Sequence, residues 1–281
     1  MIDSLDRRKM LLALGALAGS AIAAPAQVST GTKAGDDHMR QMMAIPPDAP
    51  KIAMLMYPKM VALDLIDPMT VFTILRSRIG LVWKDKTPVS TDIGIPIGAT
   101  QTFDECPRDL DVLFVPGGIM GSIDVMGDAS VLAFLADRGA RAKWVTSICT
   151  GGLVLGAAGL LNGYNATAHW AVTDLLPLLG ARHVDQRVVT DRNRVTGAGA
   201  TAGLDFALAL AVRLRGEEEA RRVQLVLEYA PAPPFTSGTP SEAGPARVAE
   251  ARSKRTWMDA QARRAAEEAG RRLGINASGA E

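Results

Sequence analysis

The chain of 281 residues is 48% hydrophobic and 22% charged, a globular composition that excludes a wholly disordered protein. Its 31 basic residues face 30 acidic ones for a net charge of +1, and 5% aromatic content offers no base-stacking platform, so a general nucleic-acid binder is excluded. Two cysteines cannot build a disulfide framework, and three widely spaced histidines leave little material for a metal cage.

Residues 1–26 have the order of an export signal: Arg7 and Arg8, an apolar run from Met10 to about Ala24, and small residues at its end. The run is short for a membrane span, so no stable span is expected after cleavage. The Arg7-Arg8 pair resembles a twin-arginine signal, which carries folded proteins to a periplasmic or secreted location; a Sec signal or an uncleaved anchor are the alternatives. Residues 27–49, with Pro46-Pro47 near the end, read as a flexible linker.

The body, 50–245, alternates strand and helix patterns. Lys51 to Tyr57, bounded by Pro50 and Pro58, reads as a buried strand. Pro68 to Arg76 reads as a helix with proline in its first turn. Strands are expected at Ile79–Trp83, Asp111–Val115 and Trp144–Ile148, and helices at Ala129–Gly139, Thr150–Leu161 and Ala202–Leu214. A hairpin is expected around Asp191-Arg192-Asn193. This alternation predicts an α/β sandwich with a mostly parallel sheet covered by helices on both faces. The remaining segment, 246–281, reads as one charged amphipathic helix (247–273) and a tail, with Val248, Trp257, Met258 and Leu273 as an apolar stripe that needs a surface to cover. A solvated helix on the domain edge is favoured there over nucleic-acid binding.

Three places in the body have the chemistry of a site. In Trp144-Val145-Thr146-Ser147-Ile148-Cys149-Thr150-Gly151-Gly152 a hydrophobic strand runs into a cysteine and then at once into a small-residue helix, the layout of a nucleophile elbow. A helix N-terminus beside the sulfur is expected to lower the thiol pKa, although a buried structural cysteine is the plain alternative. Pro116-Gly117-Gly118 closes the preceding strand, where the N–H groups of Gly118 and Thr150 could meet a developing negative charge. Asp64 lies between Leu63 and Leu65 in what reads as an apolar loop. Asp67, before Pro68, is the better helix cap, which leaves Asp64 free to handle a proton.

These stretches occur in the order seen in the ThiJ/PfpI superfamily of class I glutamine amidotransferase-like proteins, which the chain resembles over about residues 50–250. Within it the chain is most similar to the isonitrile hydratases, through Ala166-Thr167-Ala168-His169-Trp170, Thr201-Ala202-Gly203-Leu204-Asp205 and the run Gln224-Leu225-Val226-Leu227-Glu228-Tyr229-Ala230-Pro231-Ala232-Pro233-Pro234-Phe235. The resemblance implies a flavodoxin-like homodimer in which Cys149 is the nucleophile, Asp64 the essential acid and Thr150 a supporting neighbour, with Gly117 and Gly118 beside the substrate. Thr150 stands where many members carry histidine after the cysteine, which disfavours a PfpI-type protease. His169, His183 and Cys106 are read as structural. Asp67 replaces a frequent glycine and is expected to raise the pKa of Asp64.

The function these features imply is hydration of a small-molecule isonitrile to an N-substituted formamide through a cysteine thioimidate, chemistry that needs no metal and no organic cofactor. Another cysteine-dependent hydrolase, amidase or glyoxalase-like activity is the first alternative, and a non-catalytic ligand-sensing or stress-protective domain the second. A DNA-binding regulator is disfavoured, since a single expected helix follows the domain.

Overall fold

The apolar run between Pro50 and Pro58 forms β1 (Lys51–Leu55), and Ile52 to Leu55 are all buried. The computed structural model describes Asp37 and residues 44–275; the export signal and most of the linker lie outside the described residues. After β1 come α1 (Ala62–Ile74) and β2 (Arg78–Trp83), then three two-residue strands, β3 (Val89–Ser90), β4 (Pro96–Ile97) and β5 (Gln101–Thr102). The chain continues through β6 (Val112–Val115), α2 (Ile119–Met126), α3 (Ala129–Gly139), β7 (Trp144–Ile148) and α4 (Gly151–Ala157). Two short strands, β8 (Asn165–Ala166) and β9 (Arg182–His183), flank two turns of 3-10 helix. The hairpin β10 (Val188–Asp191) and β11 (Arg194–Gly197) precedes α5 (Ala202–Arg215) and α6 (Glu217–Val226). The chain ends in α7 (Pro240–Ala243), α8 (Pro245–Ser253) and α9 (Thr256–Arg272).

One 7-stranded sheet has the order β10-β11-β7-β6-β1-β2-β5. Every pairing in it is parallel except the β10–β11 hairpin. The central strands β6 and β1 are apolar on both faces, as a sheet covered on two sides requires. From β1 the chain moves outward to β2; from β6 it moves the opposite way, to β7 and β11. Right-handed crossovers in opposite directions place their helices on opposite faces. Accordingly α1 packs with α5, and α5 with α6, while α2, α4 and α9 pack together. The loops after β1 and β6 therefore diverge at a topological switch point, where open α/β sheets bind their ligands. Val61 N–H donates to Gly117 O at 2.9 Å and ties these two loops together.

Three sequence expectations shift. The first helix begins at Ala62, not Pro68, so Pro68 lies inside α1 and Asp64 sits in its first turn rather than in a loop. Asp67 is not the cap; Asp92 Oδ1, distant in sequence, accepts from Ala62 N–H at 2.9 Å. The helix after Cys149 stops at Ala157 rather than Leu161, because Gly159 adopts φ +76° and Leu160 N–H returns to Leu155 O, a Schellman-type ending. The C-terminal segment holds two helices in sequence, α8 and α9, rather than one. The stripe that α9 buries is Ala262, Ala266, Ala269 and Gly270, whereas Trp257 is 62% exposed. Among the described residues no single helix is long and apolar enough to cross a membrane.

Candidate active site

Cys149 follows β7 directly and takes φ +56°, a left-handed conformation that costs a non-glycine residue on the order of 1–3 kcal/mol. The end of β11 holds it there: Cys149 N–H reaches Gly197 O at 3.1 Å and Ala198 O at 2.7 Å. From the other side His169 N–H donates to Cys149 O at 3.3 Å. The sequence reading of an elbow corresponds to this turn, with α4 starting two residues later. Cys149 is buried, with 7% of the residue exposed.

Asp64 is fully buried on the sheet-facing side of α1 with Leu65, Pro68, Val71 and Phe72. Its Oδ2 accepts from Gly117 N–H at 2.8 Å, while Oδ1 is buried with no hydrogen-bond partner among the described residues. Gly117 lets these two side chains approach each other. A Cβ there would lie 2.6 Å from Asp64 Oδ2, 2.7 Å from Cys149 Cβ and 2.7 Å from Thr150 N. No other residue type fits at this meeting point.

Burial dominates the electrostatics. It pushes the Asp64 carboxyl up to about 7, against the partial relief of the Gly117 and Cys149 hydrogen bonds, and Asp92 and Asp67 push the same way. The Cys149 thiol is not depressed, as the elbow layout led us to expect, but raised well above the usual thiol range. Burial is the main cause and the Asp64 carboxylate the next, and these outweigh the Thr150 N–H directed at the sulfur. The two groups form a coupled pair that resists carrying two negative charges.

Gly118 and Thr150 do something other than face a ligand. Gly118 N–H donates to Thr150 Oγ1 at 2.8 Å, so in this state it is not a free oxyanion donor. Thr150 Oγ1 lies 2.8 Å from Ser122 Oγ, and Ser122 Oγ 3.1 Å from the Tyr57 hydroxyl, which donates to Pro116 O at 2.6 Å. Each hydroxyl has one proton to give, and a carbonyl can only accept. Tyr57 therefore accepts from Ser122, and Ser122 from Thr150. The result is a chain of fixed direction, Gly118 to Thr150 to Ser122 to Tyr57 to Pro116. It staples the loop after β6 to the elbow.

The sequence reading did not single out Tyr57 or Ser122. Tyr57 reads in the sequence as the end of an apolar strand, and Ser122 lies in α2, which follows Pro116-Gly117-Gly118 without a local helix signal. His169, read as structural, stands against the elbow, but its ring is not a ready base. Burial and the charges of Arg255 and Arg252 lower it to about 4, and its Nδ1 accepts from Ala171 N–H at 3.2 Å. Cys106 lies away from this site, beside Arg138 and Pro107.

Residues 50–213 match the family model described as the DJ-1/PfpI family. The chain is 52% identical over 205 residues to an isonitrile hydratase of Pseudomonas putida, covering 73% of this chain and 89% of that protein. Among solved structures, a ThiJ/PfpI family protein from Pseudomonas syringae superposes with a TM-score of 0.75 at 44% identity, covering 86% of this chain and 99% of that one. A DJ-1 superfamily protein from Salmonella typhimurium gives a TM-score of 0.60 at 28% identity, over 64% of this chain and 99% of that one. A buried cysteine on a strained elbow, facing an acid across Gly117 at the switch point of a parallel sheet, thus comes with a sequence match over more than half of the chain, and the protein belongs to the DJ-1/PfpI family.

Proposed function

We propose that this protein adds water to an isonitrile, R–NC, to give an N-substituted formamide, R–NH–CHO, with Cys149 as nucleophile and Asp64 as the group that carries the proton. The observation that bears most weight is the paired burial of a raised thiol and a carboxyl brought to about 7 around the missing side chain of Gly117. In the first step the sulfur bonds to the terminal isonitrile carbon as Asp64 takes the thiol proton. Asp64 returns that proton to the same carbon, leaving the neutral thioimidate R–N=CH–S–Cys149. Water then adds to this carbon while the nitrogen takes up a proton. Collapse of the tetrahedral adduct breaks the C–S bond, regenerates the thiol and releases the formamide. An acid near neutrality suits both directions of transfer. The slim, linear isonitrile group also suits so buried a cysteine. The similarity to the Pseudomonas putida isonitrile hydratase supports the same reading.

A cysteine–histidine hydrolase is a poorer fit, because Thr150 follows the cysteine and the His169 ring is a weak base. Turnover of a small isonitrile panel, followed by NMR for the formamide, tests the proposal, with amides, glutamine and methylglyoxal run in parallel. Formamide from the isonitriles is the expected result; turnover of the amides alone overturns it.

Two further expectations belong with this reading. Export through Arg7-Arg8 and cleavage near Ala23 to Ala26 is supported by the sequence pattern, and mass spectrometry of protein recovered from cells checks it. Homodimerisation is supported by exposed apolar side chains beyond α5, with Leu225 80% and Phe235 78% exposed. Leu225→Glu is expected to shift a sedimentation profile toward monomer.

A further inference from the structure

The loop that closes β6 is held at both ends by one train of hydrogen bonds. Gly118 N–H donates to Thr150 Oγ1 at 2.8 Å, and the train runs through Ser122 and the Tyr57 hydroxyl to Pro116 O at 2.6 Å. Between these anchors lies Gly117, whose N–H donates to Asp64 Oδ2 at 2.8 Å. Pro116 C=O and Gly117 N–H are opposite edges of a single planar peptide. Tyr57 therefore holds one edge of the plane whose other edge holds Asp64.

The plane needs an outside support. A Gly-Gly pair has little backbone stiffness of its own, and Gly118 takes φ +139°. Gly117 cannot be stiffened by a side chain, since a Cβ would strike Asp64, Cys149 and Thr150. Tyr57 and Ser122 are both fully buried. Gly121 makes room for the phenol, because a Cβ there would lie 2.8 Å from Tyr57 Cδ2. Burial also pushes the phenol well above the usual tyrosine range, so it keeps its proton to donate. A hydrogen bond accepted by a peptide oxygen polarises the amide and strengthens its N–H as a donor. Among the described residues, Gly117 N–H is the one backbone donor to the Asp64 carboxyl. The other groups that act on this carboxyl are Cys149 from the elbow, Asp92 from the β3–β4 turn and Asp67 from α1 itself. On α5, which packs against α1, Asp205 is paired with Arg187 at 2.6 Å.

We propose that Tyr57 and Ser122 are positioning residues that set the proton affinity of Asp64, acting through the Pro116–Gly117 peptide. Their part in turnover rests on the hydratase reading above; their control of the carboxyl does not.

The test separates the two. The full chain is labelled with aspartate carrying carbon-13 in its side-chain carboxyl, and the Asp64 resonance is identified by its loss in Asp64→Asn. Its titration is followed by NMR from about pH 4 to about pH 9, a span that holds both the ordinary and the raised carboxyl. Tyr57→Phe removes the donor to Pro116 O and should raise the midpoint by about 0.5 pH unit or more, a fraction of one charge-assisted hydrogen bond. Ser122→Ala leaves that donor in place but less polarised, and should raise the midpoint by a smaller amount, about 0.2 unit. Side chains that merely fill space would change stability without moving the midpoint. Unmoved or lowered midpoints in the folded variants overturn the proposal. If Tyr57→Phe does not fold, Ser122→Ala carries the test, and an unmoved midpoint there overturns it. The pH at which kcat/KM for the isonitriles rises should move upward in the same order. If the midpoints move while no isonitrile is turned over by the unmodified protein, the control of Asp64 stands and the hydratase reading fails. If isonitriles are turned over and the midpoints do not move, the hydratase reading stands and the control of Asp64 fails.

Discussion

Cys149 combines a strained backbone with a thiol that holds its proton tightly. In the proposed reaction attack therefore depends on Asp64 accepting that proton rather than on a standing thiolate. Cys149→Ala should leave the fold intact, by circular dichroism, and produce no formamide. Asp64→Asn should lower kcat by roughly two to four decades, the usual span for a general acid–base group. In the unmodified protein kcat/KM should rise with pH through about 7, where the carboxyl loses its proton, and Asp64→Asn should remove that inflection. Stability carries the opposite sign. The folded carboxyl titrates near 7 against 3.8 for the ordinary group, so the folded state holds the proton over that interval. That stabilisation is full below about pH 4 and is lost as pH rises through 7. Between pH 5 and pH 8 the unmodified protein should lose on the order of a few kcal/mol relative to Asp64→Asn, measured by urea denaturation. Gly117→Ala would place a methyl between Asp64, Cys149 and Thr150, and should cost about 1–3 kcal/mol together with most of the activity. At this scale Cys149 could be read in the sequence because an elbow is a local pattern. Tyr57 and Ser122 could not, since each bonds to residues far away in the chain.

Elements built from one strong local signal fell where the sequence placed them. The strand Trp144–Ile148 and the helix Ala129–Gly139 have the expected bounds, the latter opened by Asp128 accepting from Ser130 and Val131 N–H. The misplaced start of α1 has a physical cause. Proline before a helical run is ordinarily a first-turn residue, but Ala62 finds its cap in Asp92, which no local pattern reveals. The apolar face of α1 then continues from Asp64 and Leu65 through Pro68 to Phe72. α2 was hidden because Ile119-Met120-Gly121 reads as a loop after Pro116-Gly117-Gly118. For α9 the large apolar residues misled, since small ones allow closer approach. A Cβ on Gly270 would lie 2.3 Å from Leu178 O. Gly270→Ala should therefore push α9 outward and lower stability by about 1–3 kcal/mol in chemical denaturation.

At the scale of the molecule, the alternation of strand and helix was enough to indicate a parallel sheet with two helical layers, because crossover handedness leaves few other arrangements. The strand order was not legible. It depends on which neighbour β6 chooses, and the apolar composition of β1 and β6 suits several pairings. The C-terminal segment reads as an amphipathic helix on the domain edge whose stripe covers its own domain or a partner subunit, and α9 packs on α2, α4 and the 3-10 turn at Pro177–Leu179 of its own domain. Truncation after Pro245 should accordingly lower Tm by on the order of 10 °C in calorimetry, as expected for a loss of a few kcal/mol.

Placing α9 so late in the chain has a consequence in time. The sheet, Asp64 and Cys149 are complete once α5 has been synthesised, whereas α9 follows only after α6, α7 and α8. At ordinary synthesis rates that interval is on the order of seconds. During it the elbow can form before α9 closes the layer over α2 and α4, and the cysteine meets oxidants in a state the finished protein never presents. Slow codons across 216–255 would lengthen that window, and the fraction of Cys149 recovered as sulfenic or sulfinic acid would record it.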